Sequence, residues 1–381
     1  MKVVIAIDSF KGSLSTLESG AAVKEALLEV CPEAEAEICP LADGGEGTVR
    51  AIAAAVGGEL CTVTVTGPLG EPVDAEYCYI PERRTAVIEM AAAAGIALLP
   101  EERRNPLYTD TYGVGEIIRH AITEQGCRSF IIGIGGSATN DGGTGMLRAL
   151  GYRFVDADGA DVPRGAVGLS TLARIVDTDR LPELSQCELL VACDVTNPLC
   201  GEQGCSAVYG PQKGATPEMI ADMDGWLCKY AEMTANLLGE DLRDYPGAGA
   251  AGGMGFAFVA YLGATLRSGI SLVMDATGLP EKLRTADLVI TGEGRLDGQS
   301  CNGKAPVGVA LEAKKHGKTV IAFSGAVTDD AHLVNNYGID AYFPILRRPC
   351  TLAEAMDIST AYSNLRATAR QALSLYMRLA K

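Results

Sequence analysis

Apolar residues near the start of the chain alternate between short continuous runs and helical spacing. Residues 3–7 form an apolar run that predicts a strand covered on both faces. Segment 15–18, Ser-Thr-Leu-Glu, has the capping-box pattern, so we expect a helix from there to about residue 30. A short strand at 36–39 and a second helix to about residue 56 continue this alternation.

The pattern changes in the middle of the chain. Segments 62–66, 73–80 and 85–90 are rich in β-forming residues and separated by Gly/Pro turns, which is typical of an antiparallel meander. Two more strand candidates follow at 130–133 and 189–193, with helical stretches between and after them.

The strand–helix alternation resumes toward the C-terminus. Apolar runs at 286–290, 320–323 and 341–345 predict strands, with a helix near 304–316 and another helix before the third strand. We expect the chain to close with one long helix, whose start at 351–354 again fits a capping box.

These elements amount to about five strands from the two ends and about five from the middle. A chain of 381 residues is expected to form about two domains. The simplest architecture is an α/β fold, in which 1–60 and 281–381 form a flavodoxin-like parallel-sheet domain. A second α/β domain, 61–280, is inserted into it.

Composition narrows the possible partners and compartments. The formal charge of -16 argues against nucleic acid or an anionic membrane as a partner. No signal peptide and no apolar stretch approaching a membrane span is evident, and the twelve cysteines lack Cys-x-x-Cys spacing. We therefore expect a cytoplasmic protein with reduced thiols and no zinc site. Its three isolated histidines make a histidine-based triad improbable.

Five segments that combine glycine with polar residues follow predicted strands, where open α/β sheets bind their ligands. They are 8–13, 43–48, 133–143, 194–199 and 291–298, with a weaker one at 324–326. Since three belong to the terminal domain and two to the insert, both domains are expected to present ligand groups to a shared cleft.

The segment 133–143 carries the most glycine. Its glycines allow backbone N–H groups to converge on an anion, and the polar residues between them can hold phosphate, hydroxyl or Mg²⁺. The candidate nucleotide and phosphate contacts here and in 291–298 are Gly135, Gly136, Ser137, Thr139, Asn140, Gly292, Glu293 and Gly294.

Charged residues supply further candidates in the terminal domain. Lys11 lies near a helix start, where an ammonium could neutralise a phosphate or a carboxylate. Asp43 and Glu46 flank glycines at another helix start and could bind substrate or cap the helix. Arg295 and Asp297 form a charged cluster with Glu293. The sequence pattern alone does not assign a separate role to each of these three residues.

The insert adds Asp141 and Asp194, each after a predicted strand, with amides nearby at Asn140 and Asn197. Such groups can hold Mg²⁺ or accept a hydroxyl proton. Lys213 and Lys304 are further local cations or ordinary surface lysines.

The glycine run 247–255 has three interpretations, namely nucleotide binding, close helix packing or hinge motion. The Walker pattern and the protein-kinase motifs are absent, so neither superfamily is indicated.

Taken together, these segments resemble the type I glycerate kinase family. The resemblance runs from end to end and rests on segments 8–13, 41–48, 135–143 and 290–297, with 104–107, 113–116 and 303–306 also fitting. It departs from the family late, around 322–325 and 347–350.

The resemblance implies ATP-dependent phosphorylation of D-glycerate, usually at the 2-hydroxyl, with Mg²⁺. It also implies a flavodoxin-like domain with an inserted restriction-endonuclease-like domain. We expect a cytoplasmic monomer or homodimer whose partners are these small molecules.

For in-line phosphoryl transfer, the candidate catalytic residues are Asp194, Asp141, Asp8 and Lys11. The candidate substrate contacts are Lys11, Asp43, Glu46, Arg295, Ser137 and Asn197. The candidate metal ligands are Asp194, Glu293 and Asp297. A 3-phosphoglycerate product, a nicotinamide-dependent hydroxyacid dehydrogenase and a non-catalytic sugar-acid sensor remain as alternatives.

Overall fold

The computed structural model describes residues 1–379, which form two compact units. Unit 1 consists of Met1–Asp43, Ala54–Val56 and the chain from Ile270 onward, and unit 2 consists of Gly44–Ala53 and Gly57–Gly269. The predicted domain bounds stay a prediction: one domain of residues 1–60 with 281–381, and a second of residues 61–280. Among the described residues, no helix combines the length and apolarity needed to cross a bilayer.

The strands have three to nine residues and are distributed along the chain. They are β1 (Lys2–Ile7), β2 (Glu35–Ile38), β3 (Glu59–Thr66), β4 (Pro72–Ile80), β5 (Thr85–Glu89), β6 (Ser129–Gly133), β7 (Arg153–Val155), β8 (Arg174–Val176), β9 (Glu188–Ala192), β10 (Thr265–Arg267), β11 (Leu288–Leu296), β12 (Thr319–Val327) and β13 (Ala341–Pro344).

The α-helices range from one turn to six. They are α1 (Thr16–Val30), α2 (Thr48–Val56), α3 (Ala91–Ala94), α4 (Tyr112–Thr123), α5 (Thr144–Ala149), α6 (Cys205–Tyr209), α7 (Pro217–Leu238), α8 (Ala250–Leu262), α9 (Gly269–Thr277), α10 (Leu279–Thr285), α11 (Ala305–Lys314), α12 (Leu352–Met356) and α13 (Ile358–Leu379).

Unit 1 contains a five-stranded sheet in the order β13-β12-β11-β1-β2, and every neighbouring pair is parallel. Numbered within the unit, this order is 2-1-3-4-5, the flavodoxin-like order. Buried side chains of β1, β11 and β12 pack with α1 and α13 into one apolar core. The predicted flavodoxin-like α/β fold built from both ends of the chain is therefore confirmed.

Unit 2 contains a six-stranded mixed sheet in the order β10-β9-β6-β5-β4-β3. The pairs β3–β4 and β4–β5 are antiparallel, as the meander pattern predicted, whereas β5, β6, β9 and β10 run parallel. β7 and β8 form a separate antiparallel pair. The middle thus holds eight strands rather than five, because β7, β8 and β10 have only three residues each and are too short for a clear alternation.

The prediction of one long closing helix is wrong. α12 ends before Asp357, whose extended backbone (ψ 125°) separates it from α13. The Asp357 carboxylate accepts hydrogen bonds from the backbone N–H and the hydroxyl of Thr360, which caps a new helix. The helix predicted between β12 and β13 is a 3₁₀ helix, Asp329–Tyr337.

The segment 291–298 is only partly a loop, contrary to the prediction. β11 continues through Leu296 because it stays paired with β12 as far as Leu296↔Val327. Gly292 and Gly294 therefore lie within a strand. A Cβ on Gly292 would meet the carbonyl oxygen of Phe323 at 2.1 Å, so this glycine permits close strand packing.

Candidate active site

Three carboxylates and one ammonium lie close together in unit 1. Asp8 directly follows β1, Asp43 follows β2, and Glu293 lies near the end of β11, so all three are near the carboxyl edge of the parallel sheet. The Lys11 ammonium lies 3.3 Å from Asp43 Oδ2. The Asp8 side chain is only 6% exposed, and its Oδ1 accepts a 2.7 Å hydrogen bond from the backbone N–H of Ser9.

The ionisation of Asp8 is shifted by this environment. Burial, followed by repulsion from Asp43, raises the pKa of Asp8 from 3.8 to about 7, against the lowering effects of the Ser9 N–H and of Lys11. A carboxyl group with this pKa changes its protonation state near neutral pH, which is the property required of a general base.

Glu293 and Asp297 hold the end of β11 in a charged network. Glu293 accepts a 2.6 Å hydrogen bond from Ser300 Oγ, and burial raises its pKa. Asp297 caps the following 3₁₀ turn and contacts Arg295 at 3.3 Å and Lys304 at 3.5 Å. In residues 1–379, no group of three or more His, Cys, Asp or Glu side chains is placed to hold a metal ion.

In unit 2, the glycine-rich loop 133–143 is exposed only at its beginning. Gly135 and Gly136 are exposed, Ser137 is 8% exposed, and the side chains of Thr139 and Asn140 are fully buried. Asn140 donates from Nδ2 to Ser206 Oγ at 2.8 Å. This burial does not support the predicted contact of the Thr139 and Asn140 side chains with a nucleotide. Gly135 and Gly136 are exposed, and Ser137 retains only 8% exposure.

Asp141 is engaged within unit 2. Its fully buried carboxylate accepts hydrogen bonds from the N–H and hydroxyl of Thr111 and from the N–H groups of Gly143 and Gly145, all at 2.8–3.1 Å. Burial raises its pKa against these hydrogen bonds. The carboxylate ties the loop to the start of α4, and this geometry does not support Asp141 as a proton acceptor for substrate.

We expect Asp141→Asn to lower the free energy of unfolding by roughly 2–4 kcal/mol, because an amide NH₂ would face N–H and O–H donors. Chemical denaturation measures this. Asp194→Asn, at an exposed carboxylate of the same unit, is the comparison. It is expected to cost less than Asp141→Asn, because an amide oxygen can still accept the hydrogen bond from Gly269 N–H. Equal destabilisation by the two substitutions would contradict this role of Asp141.

The glycine run 247–255 packs against the loop. The carbonyl of Gly252 accepts a 2.9 Å hydrogen bond from Gly142 N–H, and a Cβ on Gly252 would lie 2.0 Å from the carbonyl oxygen of Thr139. Ala251, Gly252 and Gly253 all have positive φ. Of the three interpretations, close backbone packing is therefore the one that this geometry supports.

Lys213 is fully enclosed beside the same loop. Its ammonium donates to Ser137 Oγ at 2.8 Å and to the carbonyl oxygen of Thr139 at 2.6 Å, and its side chain is 2% exposed. It is therefore not a surface lysine, which was one of its two predicted roles.

The remaining predicted site residues of unit 2 lie outside the glycine-rich loop. Asp194 follows β9, is exposed, and accepts a 3.0 Å hydrogen bond from Gly269 N–H. The amide of Asn197 bonds to the carbonyl oxygen of Gln203 and the hydroxyl of Tyr209, so it shapes its own loop. Glu46 is exposed in the turn before α2.

Sequence reasoning missed Glu89, at the end of β5. Its carboxylate accepts a 2.8 Å hydrogen bond from Val49 N–H at the start of α2, where the N-cap residue is Gly47. This is the capping function considered for Asp43 and Glu46. An acid that ends a buried strand was the available signal, but its partner lies 40 residues away in sequence.

Comparisons with known proteins agree along the whole chain. The model of the glycerate kinase family matches residues 3–377. The glycerate 2-kinase of Escherichia coli (strain K12) is 50% identical over 96% of this chain and 95% of its own length. The glycerate kinase of Bacillus subtilis (strain 168) is 46% identical over 100% of this chain and 99% of its own.

A solved structure agrees as well. The crystal structure named glycerate kinase 2, from Salmonella typhimurium LT2, aligns with a TM-score of 0.91 at 50% identity and covers 99% of this chain and 98% of that one. Since the family model, the relatives and this structure span nearly all of the sequence, the chain belongs to the glycerate kinase family.

Proposed function

We propose that this protein transfers the γ-phosphoryl group of ATP to the 2-hydroxyl of D-glycerate, giving 2-phosphoglycerate and ADP. The observation that carries the proposal is the buried Asp8 carboxylate, with a pKa of about 7, beside Lys11 and Asp43 in a chain of this family. The relative at 50% identity named glycerate 2-kinase supports the choice of the 2-hydroxyl.

In this mechanism, the glycerate hydroxyl oxygen attacks the γ-phosphorus while its proton passes to Asp8 Oδ2. The bond from phosphorus to the β,γ-bridging oxygen breaks, and ADP leaves. Asp8 suits this role because Ser9 N–H holds Oδ1 and because its pKa lies near neutral pH. Asp194 is the second candidate for the base, since it also ends a parallel strand.

The Lys11 ammonium is proposed to hold the carboxylate of glycerate or the transferred phosphoryl group. Asp43 lies 3.3 Å from this ammonium and is placed to orient it. Arg295, whose side chain is 66% exposed, is the further cation that can reach an anionic ligand. In unit 2, we assign phosphate contacts to the N–H groups of Gly135 and Gly136 and to the Ser137 hydroxyl.

Mg²⁺ fits the carboxylates at the end of β11. Burial disfavours the charged form of Glu293 and raises its pKa. A divalent cation bound to its carboxylate oxygens would favour that charged form. Glu293 and Asp297 are the residues proposed to hold it. When bound, the ion would neutralise charge on the ATP phosphates.

The direct test is ADP release by purified protein with Mg²⁺, ATP and D-glycerate, with ³¹P NMR of the product. Glycerate-dependent turnover with phosphate on the 2-oxygen is the expected result. Phosphate on the 3-oxygen would overturn the proposed regiochemistry. Absence of turnover with bound glycerate would favour a sugar-acid sensor, and nicotinamide-dependent oxidation of glycerate would favour a dehydrogenase.

A further inference from the structure

The backbone on both sides of Lys213 is fixed. Lys213 ends a 3₁₀ turn, Pro211–Lys213, and Gly214 follows with φ of +89°. A Cβ on Gly214 would lie 2.4 Å from the carbonyl oxygen of Arg104, so this turn packs directly on the segment that contains Arg104. The side chain therefore starts from a rigid position.

The ammonium of Lys213 bonds to the middle of the glycine-rich loop, beside contacts from other parts of unit 2. Earlier in the loop, Gly136 O and Ala138 N–H bond to the backbone of 94–96, and later Asp141 binds the N–H groups of Gly143 and Gly145. Thr109 Oγ1 donates to the carbonyl oxygen of Ala138. Lys213 adds bonds to Ser137 Oγ and to the carbonyl oxygen of Thr139, on either side of Ala138.

An ammonium group can only donate hydrogen bonds, so the Ser137 oxygen must accept the 2.8 Å bond from Lys213. The hydroxyl hydrogen of Ser137 then points away from Lys213. Ser137 retains 8% exposure and follows the exposed Gly135 and Gly136. Protonated Lys213 therefore leaves the serine hydroxyl hydrogen available to donate outward.

Burial of the Lys213 ammonium costs solvation free energy, and no carboxylate of the described residues is paired directly with it to offset that cost. The titratable groups that face Lys213 are Cys205 on α6 and Asp141 in the loop, and the Asp141 carboxylate binds Thr111, Gly143 and Gly145 instead. Burial lowers the pKa of Lys213 from 10.5 to about 8. A buried ammonium without a matched carboxylate is unfavourable for stability, so stability alone does not explain this residue.

We propose that Lys213 is a positioning residue of the glycine-rich loop, which helps to fix residues 137–139 and directs the Ser137 hydroxyl hydrogen toward a bound phosphate. This inference rests on the proposed function, because the phosphate is that of ATP. It assigns Lys213 an indirect role, through Ser137, rather than a contact with substrate.

The kinetic test compares Lys213→Met with Lys229→Met, a matched change at an exposed lysine of α7. Lys213→Met is expected to raise KM for ATP about tenfold, the effect of one lost charge-assisted hydrogen bond, whereas Lys229→Met leaves it unchanged. Ser137→Ala is expected to raise KM similarly in the wild type, and to add little in the Lys213→Met background. Full additivity of the two substitutions would overturn the proposal.

The pH dependence of kcat/KM for ATP distinguishes this role from a purely structural one, which would not change it. Above about pH 8, Lys213 loses one N–H and gains a lone pair that competes with the phosphate for the Ser137 hydrogen. We therefore expect kcat/KM for ATP to fall on an alkaline limb near pH 8 in the wild type and in Lys229→Met, and this limb to disappear in Lys213→Met. If Lys213→Met does not fold, Lys213→Arg serves instead, because arginine stays protonated. Persistence of the limb would overturn the proposal.

Hydrogen–deuterium exchange tests the loop without reference to activity. Amides of 137–141 are expected to exchange faster in Lys213→Met than in wild type or Lys229→Met. Unchanged exchange there would overturn the anchoring role. Lack of glycerate-dependent turnover in the wild type, with faster exchange in Lys213→Met, would instead refute the proposed function alone.

Discussion

Asp8→Asn is expected to lower kcat by a factor of about 10²–10⁴, because the amide cannot accept the proton of the glycerate hydroxyl. The substitution preserves shape and keeps the oxygen that accepts the Ser9 N–H. Steady-state kinetics with ATP and D-glycerate measure the loss of kcat. KM for both substrates is expected to change much less than kcat.

The same substitution is expected to stabilise the protein at neutral pH. Since the folded-state pKa of Asp8 is raised from 3.8 to about 7, its contribution to stability is full below pH 3.8 and is lost as the pH rises to about 7. Asparagine has no such titration. The melting temperature of Asp8→Asn relative to wild type should therefore increase across this interval and stay constant above it.

The matched control is Asp287→Asn, an exposed carboxylate just before β11, where it accepts a hydrogen bond from Lys2 N–H. It lies at the opposite, amino edge of the same sheet, so kcat is expected to stay at the wild-type value. Wild-type kcat in Asp8→Asn, together with a large loss in Asp194→Asn, would transfer the role of base to Asp194.

Gly252→Ala is expected to lower the free energy of unfolding by about 2–4 kcal/mol, with a parallel loss of activity. Gly252 has φ of +68°, and its new Cβ would lie 2.0 Å from the carbonyl oxygen of Thr139 and 2.6 Å from Asn140 Cα. These atoms belong to the backbone of the glycine-rich loop, so relief of the clash requires that the loop move. Denaturant unfolding and kinetics measure the two effects.

Gly263→Ala separates backbone strain from this clash. Gly263 caps the end of the same helix, α8, with φ of +62°, but no atom lies within 4 Å of its added Cβ. We expect a cost of about 1 kcal/mol, from strain alone, and unchanged activity. Equal effects of the two substitutions would show that the packing of Gly252 on the loop does not matter.

Much of the fold could be predicted from the sequence because its signals are local. The run at 3–7 corresponds to β1, and the Ser15–Glu18 capping box was found at the start of α1 as expected. The longer strands in both units were recognised from their apolar runs or from their content of β-forming residues. The three-residue strands did not, and the break at Asp357 was missed because the Thr351 capping box favoured a single helix.

For the candidate site, the sequence predicted which segments of the chain carry it but not the contacts of their side chains. The glycine-rich segments after strands indicated which loops to consider, but not which side chains within them are accessible. Thr139 and Asn140 are buried, and Asp141 binds backbone groups, because α4 and α8 pack on that loop. Such contacts join residues far apart in sequence, so spacing within a motif carries no information about them.

The sequence by itself determined most of the strand and helix pattern, the family and most of the segments that carry the polar residues. These follow from periodicity, capping and motifs, which are properties of neighbouring residues. Only the tertiary structure decided the pKa of Asp8, which depends on burial, on Asp43 in the loop after β2 and on Glu293 in β11. It also decided the position of Lys213, whose partner Ser137 lies 76 residues earlier, because burial and charge interactions depend on distance in space.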